Sequence, residues 1–397
     1  MSNEQALTET LKPGDHGPTF NAGSTIGPTF DSSAACGHFS IVSFPGPAQQ
    51  PFGSAVVDAF IAVGPKLATV DYMVLVMSFY AADREDPRFK RLGPRSVGIW
   101  DADGQIHVKY RAIIKDPGDG SPRLRPVTYV LDPNMRVIAA ITEPDPVKHV
   151  TSAVQILVSQ TRQAPPHPAT PHAPVLMVPN VFERELCQRL ITGYEKNGGK
   201  DSGFMQDRGG KTTLVIDHQF KRRSDWAMND LELILEVKGC IERRLIPEIE
   251  KAFNFKATRI ERYLVACYSA ETGGYFRPHR DNTTKGTAHR RFAVTFNLNS
   301  EDYTGGELMF PEYGRMLYRA PTGGAVVFGC GLLHEATPVR TGLRYAFLPF
   351  LYDEAAADLR EANNEFLDDK VMKYKAARLT EAEKPEVDPE AVVHAGA

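Results

Sequence analysis

Residues 259–352 consist of short apolar segments separated by glycine, proline and asparagine, and this alternation limits the folds open to the chain. Apolar segments that turn residues interrupt so often predict β-strands arranged as a sandwich or jelly roll. Before them, residues 183–196 and 231–253 are predicted helices, and the second has most of its apolar side chains on one stripe. The sequence therefore predicts a β-domain accompanied by two helices.

A candidate metal site lies inside this β-rich segment, where one residue separates His279 from Asp281. Residues i and i+2 of a β-strand face the same side, so both side chains can bind one metal ion. His334, from another strand, would complete the two-histidine, one-carboxylate set that binds Fe(II) and leaves positions open. About one such triplet is expected by chance at this composition, yet His279 is the only histidine with an acid two residues on.

Each of these residues also has a simpler interpretation. A lone histidine in an apolar strand is usually a core residue, and an arginine near a strand end is usually a surface ion-pair partner. A kinase catalytic loop also begins His-Arg-Asp, but Gly286 stands where that motif requires asparagine. Arg344, ten residues after His334, precedes the apolar run 345–348, where an unpaired charge is costly. The combination of signals in this order favours a functional site.

The ordered motifs resemble those of the 2-oxoglutarate/Fe(II) oxygenases of the prolyl-4-hydroxylase-like group. The resemblance covers roughly residues 174–352. Its motifs are, in chain order, Leu264–Tyr268, Gly273–Phe276, His279, Asp281, Asn297–Asn299, Gly305–Leu308, Pro321–Phe328, His334 and Arg344. The fold that it implies is a double-stranded β-helix, which is a jelly-roll architecture braced by helices.

The resemblance also implies the roles of the site residues. His279, Asp281 and His334 would bind Fe(II), and Arg344 would pair with the far carboxylate of 2-oxoglutarate. Tyr268 stands where the family has a tyrosine that hydrogen-bonds this co-substrate, and a core role is its alternative. The implied enzyme is a dioxygenase that uses O2, hydroxylates a C–H bond and releases succinate and CO2, with ascorbate as an additional candidate cofactor. The carboxylate of Asp281 favours hydroxylation over halogenation, since halogenating relatives have a small residue there.

The substrate is left open between a prolyl-type peptide and a small molecule such as a free amino acid or a natural product. Around the first ligands, five basic residues could form a positive rim for an acidic substrate or be ordinary solvated charges. They are Arg277, Arg280, Lys285, Arg290 and Arg291. A net charge of −3 and a distal strand without the arginine signature of nucleobase demethylases argue against nucleic acid. A non-catalytic, redoxin-type adaptor or binding protein is the alternative function, against which the complete triad and Arg344 count.

Residues 1–160 have an α/β pattern, with strands predicted at Phe39–Phe44, Val97–Trp100, Val127–Leu131 and Val137–Ile141 and a helix at Pro146–Gln160. Leu11–Asp15, the strand before Pro45 and Arg125–Pro133 resemble a thioredoxin-fold peroxiredoxin. That family reads P-x-x-x-(T/S)-x-x-C after its first core strand, and its thiolate attacks peroxide.

Counted from Pro45, the peroxiredoxin hydroxyl and cysteine positions are Gln49 and Phe52. Cys36 has no place in the motif, although Arg125 matches a family arginine. We therefore expect no peroxidase activity from this segment. Its expected roles are protein docking or homo-oligomer formation.

The predicted organisation is a redoxin-like domain (1–160), a proline-rich linker (161–174), the oxygenase domain (175–352) and an acidic helical tail (353–397) that is disordered from residue 381. The five cysteines are scattered without a C-x-x-C pair, which is typical of a reducing compartment and predicts a cytoplasmic location. The longest apolar run is too short to span a bilayer, and no signal peptide is visible, so no membrane partner is expected.

Overall fold

The structure is a computed structural model that describes residues 9–67, 72–116, 120–160, 165–166 and 168–376. It contains two compact units, Met1–Thr170 with Gly239–Leu245, and Pro171–Lys238 with Ile246–Ala397. The break at Thr170 falls within the stretch 161–174 that the sequence suggested as a linker. The predicted disorder from residue 381 lies outside the described residues. No helix in the described ranges combines the length and apolar character needed to cross a membrane.

The first unit is built on a seven-stranded sheet in the order β2-β1-β5-β4-β3-β8-β9. Its strands are β1 (Asn21–Ser24), β2 (Gly27–Asp31), β3 (Phe39–Phe44), β4 (Tyr72–Ser78), β5 (Ser96–Trp100), β6 (Ile113–Lys115), β7 (Pro122–Leu124), β8 (Val127–Leu131) and β9 (Val137–Ile141). Its helices are α1 (Pro51–Leu67), α2 (Gln105–Lys109) and α3 (Pro146–Ser159), with 3-10 turns at Ser32–Ala35, Ala81–Glu85 and Pro87–Arg91. Strands β6 and β7 form a separate hairpin.

The connection pattern of the first unit is that of a thioredoxin-like fold. Strands β3 and β4 are parallel and joined through α1, whereas β8 is antiparallel to β3, and β9 is antiparallel to β8. Side chains alternate between the two faces of the sheet, so that Val42 packs in one buried cluster and its neighbour Ile41 in another. Both faces are therefore covered, as the α/β pattern of the sequence predicted.

The second unit contains strands from β10 onward and most of the remaining helices. The strands are β10 (Val175–Val178), β11 (Lys200–Asp201), β12 (Phe204–Arg208), β13 (Lys211–Val215), β14 (Lys221–Arg222), β15 (Ser224–Ala227), β16 (Arg259–Glu261), β17 (Leu264–Ser269), β18 (Tyr275–His279), β19 (Phe292–Asn297), β20 (Thr304–Gly305), β21 (Leu308–Met309), β22 (Leu317–Tyr318), β23 (Ala325–Gly329), β24 (His334–Ala336), β25 (Val339–Thr341), β26 (Leu343–Phe347) and β27 (Phe350–Tyr352). The helices are α4 (Arg184–Asn197), α5 (Leu231–Arg244), α6 (Ile246–Phe253) and α7 (Glu354–Ala362), with 3-10 turns at Lys285–Thr287, Pro311–Tyr313 and Asn363–Phe366. The end of α5, from Gly239, is part of the first unit.

Two antiparallel sheets make the second unit a double-stranded β-helix. The larger sheet has the order β10-β23-β19-β26-β17-β15-β11, and the smaller has the order β14-β18-β24-β21-β22. One buried cluster contains Val326 and Phe328 from the larger sheet together with Leu308 and Tyr318 from the smaller. The two sheets thus share a core, which is the jelly-roll arrangement predicted from the strand-rich segment.

One helix prediction was wrong in its continuity. The single helix expected over 231–253 is divided into α5, which ends at Arg244, and α6, which begins at Ile246. Pro247 explains the break, because proline has no amide hydrogen to donate and its ring clashes with the preceding turn. At the second residue of α6 neither property is a cost, since the first amides of a helix have no intrahelical partner.

Candidate metal centre

Neighbouring strands of the smaller sheet bring three predicted ligands together. His279 ends β18 and His334 begins β24, and the two residues are directly opposite in the antiparallel register. Asp281 follows β18, with its Oδ1 3.7 Å from His279 Nε2 and its Oδ2 3.4 Å from His334 Nε2. One ligand atom from each residue lies within 4.8 Å of the other two. Two imidazoles and a carboxylate at this spacing can hold a metal ion.

Backbone carbonyls hold both imidazoles in the orientation that a metal needs. His279 Nδ1 lies 2.7 Å from the carbonyl oxygen of Arg277, and His334 Nδ1 lies 3.0 Å from that of Leu332. A carbonyl oxygen only accepts, so each Nδ1 carries the hydrogen and each Nε2 keeps a lone pair. This support of a ligating histidine through its other nitrogen is typical of protein metal sites.

The electrostatics of the cluster favour the ligand forms of its side chains. Burial, together with the neighbouring His334, lowers the pKa of His279 to about 3. Burial opposes the ionisation of Asp281, but interactions with the imidazoles of His334 and His279 and with the guanidinium groups of Arg290 and Arg262 outweigh it and hold its pKa below the usual value. Near neutral pH His279 is therefore uncharged and Asp281 is a carboxylate, which are the forms that bind a metal.

The three side chains line a cavity of about 460 Å³, which also contains Arg344 and Tyr268. Arg344 is only 2 % exposed, and its guanidinium lies 4.7 Å from the centre of the Tyr268 ring. Its Nε and Nη1 have no hydrogen-bond partner among the described residues. Buried donors are almost always satisfied, so this arginine is arranged for a ligand with acceptor oxygens.

Arg223 is a site residue that the sequence analysis missed. Its Nη1 donates to the Tyr268 hydroxyl oxygen at 3.3 Å, and its Nη2 donates to the Asp225 carboxylate at 2.6 Å. Because the tyrosine oxygen accepts from Arg223 and no described residue accepts its hydrogen, the hydroxyl is left to donate to a ligand. No motif marks Arg223 in the sequence, because its role depends on the pairing of β15 with β17.

Basic residues around the first ligands form ion pairs and hydrogen bonds within the protein. Arg280 Nη2 lies 2.8 Å from Glu312, and Arg290 Nη2 lies 2.8 Å from Glu261. Arg290 also donates through Nη1 to the carbonyl oxygen of Asp281 at 3.3 Å. Arg290 therefore stabilises the loop that carries a metal-ligand candidate.

The peroxiredoxin-like positions of the first unit are filled differently from a peroxidase site. Phe52, at the thiol position, lies near the start of α1, and its ring centre is 5.5 Å from that of His149. His149 is buried, and its Nε2 lies 2.8 Å from the hydroxyl oxygen of Thr128. Gln49 is exposed, and Cys36 is exposed before β3. Phe52 thus packs as an apolar side chain where a thiolate would react.

Comparison with known sequences connects the second unit to one superfamily. Residues 263–352 match the sequence profile of the 2OG-Fe(II) oxygenase superfamily. The PKHD-type hydroxylase PiuC of Pseudomonas aeruginosa is 36 % identical over 189 residues, which are 43 % of this chain and 75 % of that protein. A PKHD-type hydroxylase of Synechococcus sp. (strain JA-3-3Ab) is 33 % identical over 124 residues, which are 28 % of this chain and 54 % of that protein. The chain thus spans about half the length of the Synechococcus relative.

Comparison with solved structures matched proteins of two kinds. A prolyl hydroxylase from Trichoplax adhaerens, in complex with a hypoxia inducible factor peptide fragment, gives a TM-score of 0.38 at 20 % identity over 47 % of this chain and 86 % of that one. The peroxidoxin BcpB of Mycobacterium tuberculosis gives 0.33 at 17 % identity over 38 % of this chain and 99 % of that one.

Strand order and ligand set together define the second unit as a double-stranded β-helix of the oxygenase class. The chain belongs to the PKHD-type hydroxylases of the 2OG-Fe(II) oxygenase superfamily.

Proposed function

We propose that this protein is an Fe(II)- and 2-oxoglutarate-dependent dioxygenase that hydroxylates a C–H bond of a prolyl-type peptide or a small molecule. His279, Asp281 and His334 would hold Fe(II), and Arg344 would bind the far carboxylate of 2-oxoglutarate. The observation that carries the proposal is one cavity that contains both the three converging ligands and a buried arginine with unsatisfied donors. Membership of the PKHD-type hydroxylases supports the reaction class.

The residues at the site fit both Fe(II) and 2-oxoglutarate. Imidazole and carboxylate ligands suit Fe(II), and a cluster of three leaves positions open for other ligands. A guanidinium matches a carboxylate with two parallel hydrogen bonds, and Arg344 has two donors without a partner among the described residues. When bound, Fe(II) together with 2-oxoglutarate and O2 supplies the oxidising power, with succinate and CO2 as the co-products.

The chain's own residues would bind the metal, orient the co-substrate and exclude water from the site. His279 and His334 hold their ring hydrogens at Nδ1, which leaves the lone pair of each Nε2 free for the metal. The Tyr268 hydroxyl would donate its hydrogen to the co-substrate, because its oxygen already accepts from Arg223. Apolar side chains such as Phe276 and Phe328 form part of the cavity wall and limit the access of water to the reacting C–H bond.

The test is turnover of 2-oxoglutarate by the full chain. The protein would be loaded with Fe(II) without oxygen and then supplied with O2, with and without ascorbate. Succinate release would be measured against prolyl peptides, free amino acids and buffer alone. Release that depends on both iron and a substrate supports the proposal, whereas a protein that binds neither Fe(II) nor 2-oxoglutarate would be a non-catalytic binding protein.

For the first unit we propose a docking role, either for a protein substrate or for a second copy of the chain. Phe52 at the thiol position and its packing against His149 support this proposal, since the unit keeps the fold without its nucleophile. The supporting test is whether the intact protein self-associates in analytical ultracentrifugation or binds a peptide substrate through this unit.

A further inference from the structure

Lys221 is a buried lysine at the cavity that the reaction proposed above does not use. It lies on β14, directly opposite Phe276 of β18, the strand that ends at His279. The residue is 4 % exposed and lines the same cavity as the three ligand candidates. Its Nζ is 4.8 Å from the centre of the Phe276 ring, which in turn stacks on His279 at 3.5 Å.

All direct hydrogen-bond partners of this ammonium group in the described structure are neutral. Nζ donates to the Ser202 hydroxyl oxygen at 2.8 Å and to the Gly203 carbonyl oxygen at 2.6 Å. The nearby carboxylate of Asp225 is paired with Arg223 at 2.6 Å. No described carboxylate lies within ion-pair distance of Lys221. A buried cation without a counter-charge is costly, so a bound anion here would be stabilised.

Two of the other arginines around the cavity differ from Lys221 because each has a carboxylate partner, whereas Arg262 donates to the carbonyl oxygen of Leu348. Arg290 is paired with Glu261, and Arg223 with Asp225. Arg344 is the candidate for the far carboxylate of 2-oxoglutarate. Burial lowers the pKa of Lys221 well below its usual value, and the positive charge of Arg223 adds to this effect. Burial and the neighbouring arginine therefore disfavour the charged lysine, and a ligand carboxylate beside it would counteract that effect.

We propose that Lys221 binds a carboxylate of the substrate inside the cavity, so that the enzyme hydroxylates an anionic substrate. This proposal rests on the function proposed above and names the substrate class of the same site. The carboxylate would be a second anionic group, bound in addition to the co-substrate at Arg344. A bond from Nζ to it would be charge-assisted and therefore stronger than its present bonds to neutral oxygens.

A purely structural role for Lys221 is the competing explanation, because its two hydrogen bonds fasten Ser202 and Gly203 before the hairpin β12–β13. Lys221→Gln separates the two roles, since the amide can still donate to both oxygens but carries no charge. Lys221→Arg keeps the charge. Lys256→Gln, at an exposed lysine of the same unit, is the matched control.

The probe is acetate, with acetamide as its neutral counterpart, and the metal is Mn(II), a paramagnetic ion that carboxylate and imidazole ligands also bind. The full chain is first shown to bind Mn(II) and 2-oxoglutarate, and failure of this step overturns the proposed function and this inference together. At saturating 2-oxoglutarate, the relaxation of the methyl protons of acetate and acetamide is then measured by NMR during titration.

We expect saturable relaxation of acetate but not acetamide in the wild type, K221R and K256Q proteins. In K221Q the apparent affinity for acetate should fall about tenfold, as for the loss of one charge-assisted hydrogen bond. Equal acetate binding by K221Q and the wild type would overturn the proposal, as would the absence of saturable acetate binding in the wild type. Saturable acetate relaxation that appears only when 2-oxoglutarate is omitted would assign Lys221 to the co-substrate instead.

A second measurement needs no variant, in case K221Q does not fold. Reductive methylation of the wild-type protein, read by mass spectrometry, reports the reactivity of Lys221. Acetate, but not acetamide, should protect Lys221 and leave Lys256 unprotected. Equal modification of Lys221 with and without acetate would contradict a carboxylate bound at its Nζ.

Discussion

At the scale of single residues, the candidate site consists of a few side chains for which we propose separate roles. The two histidines and Asp281 converge on one point, whereas Arg344 and Tyr268 lie together elsewhere in the cavity wall. Metal binding and co-substrate binding should therefore respond to different substitutions. This separation makes the roles of the residues testable one at a time.

Removing a metal-ligand candidate should abolish both iron binding and turnover. Asp281→Ala and His279→Ala each leave two ligands, and a site with one ligand missing binds Fe(II) weakly. Iron content of the anaerobically loaded protein and succinate formation are the measurements. His218→Ala, at an exposed histidine of the same unit, is the control and should retain both properties. Stoichiometric iron with undiminished activity in the two variants would refute the ligand assignment.

Arg344→Ala should raise the apparent KM for 2-oxoglutarate far more than it weakens iron binding. A lost charge-assisted pair costs about 1.5–3 kcal/mol, which corresponds to roughly tenfold or more in affinity. Initial rates at varied 2-oxoglutarate give the KM, and iron titration gives the metal affinity. Arg340→Ala, at an exposed position on β25, is the matched control. An unchanged KM in R344A would move the co-substrate anchor to another residue.

Arg223 should act on the co-substrate through Tyr268. Arg223→Gln and Tyr268→Phe are each expected to raise the KM for 2-oxoglutarate, and the double variant should be no worse than the more impaired single variant. The reason is that Arg223 occupies the tyrosine oxygen and so directs its hydrogen to the ligand. Additive effects of the two substitutions in this double-mutant cycle would show that Arg223 does not work through the hydroxyl.

At the scale of the elements, a glycine turn allows Arg344 to approach the site. Gly306 has a φ of +69°, and a Cβ atom added to it would lie 2.8 Å from Arg344 Cδ and 2.9 Å from Val339 Cγ2. Both the left-handed backbone and the close packing therefore require glycine. The Gly-Gly turn is visible in the sequence, but its contact with Arg344 is not, because the two lie far apart in the chain.

Gly306→Ala should consequently impair co-substrate binding as well as stability. Gly314 provides a matched control, because its φ is +105° but an added Cβ would meet no atom within 4 Å. Gly306→Ala should destabilise the fold by about 1–2 kcal/mol through its left-handed backbone, and Gly314→Ala, at a φ of +105° and a ψ of −155° that is essentially restricted to glycine, by about 1–3 kcal/mol. Only Gly306→Ala should also raise the KM for 2-oxoglutarate. Thermal unfolding and initial rates measure the two effects. The same KM in both variants would show that Gly306 does not control the position of Arg344.

At the scale of the whole molecule, one chain contains two units that differ in the chemistry their side chains can perform. The second has a cavity with converging ligands, whereas the first has Phe52 where its resemblance would place a nucleophile. A phenylalanine cannot form the thiolate that attacks peroxide. We therefore expect the first unit to provide a docking surface and to perform no redox chemistry.

The full chain should accordingly show no thiol-dependent consumption of hydrogen peroxide. Peroxide loss in the presence of a thiol reductant is the measurement, with the Cys36→Ser protein assayed in parallel. Turnover in the wild type that Cys36→Ser removes would make the exposed Cys36 a displaced peroxidatic residue. Assays in the presence of a chelator would separate such turnover from iron-dependent peroxide loss.

Much of the fold was predictable because its signals are local. The predicted strand Val127–Leu131 matches β8, and its pairing with β9 is as expected from the short turn between them. The predicted helix over Pro146–Gln160 is α3, which ends one residue earlier. The predicted long helix over 231–253 was wrong only at the break between Arg244 and Ile246, which Pro247 causes as the second residue of the new helix. Apolar periodicity does not include this local effect.

By itself, the sequence determined the identity and order of the ligand candidates, since the His-x-Asp spacing and the order of the motifs are properties of the chain. The expectation that one strand carries both His279 and Asp281 was wrong in detail, because β18 ends at His279 and Asp281 lies in the turn that follows. Only the tertiary structure decided that His279 and His334 face each other across β18 and β24, and that Arg223 reaches Tyr268. It also decided that Lys221 is buried beside neutral oxygens, whereas Arg290 has a carboxylate partner. The physical reason is that burial and partner choice depend on strand register between distant segments, which no local pattern of residues encodes.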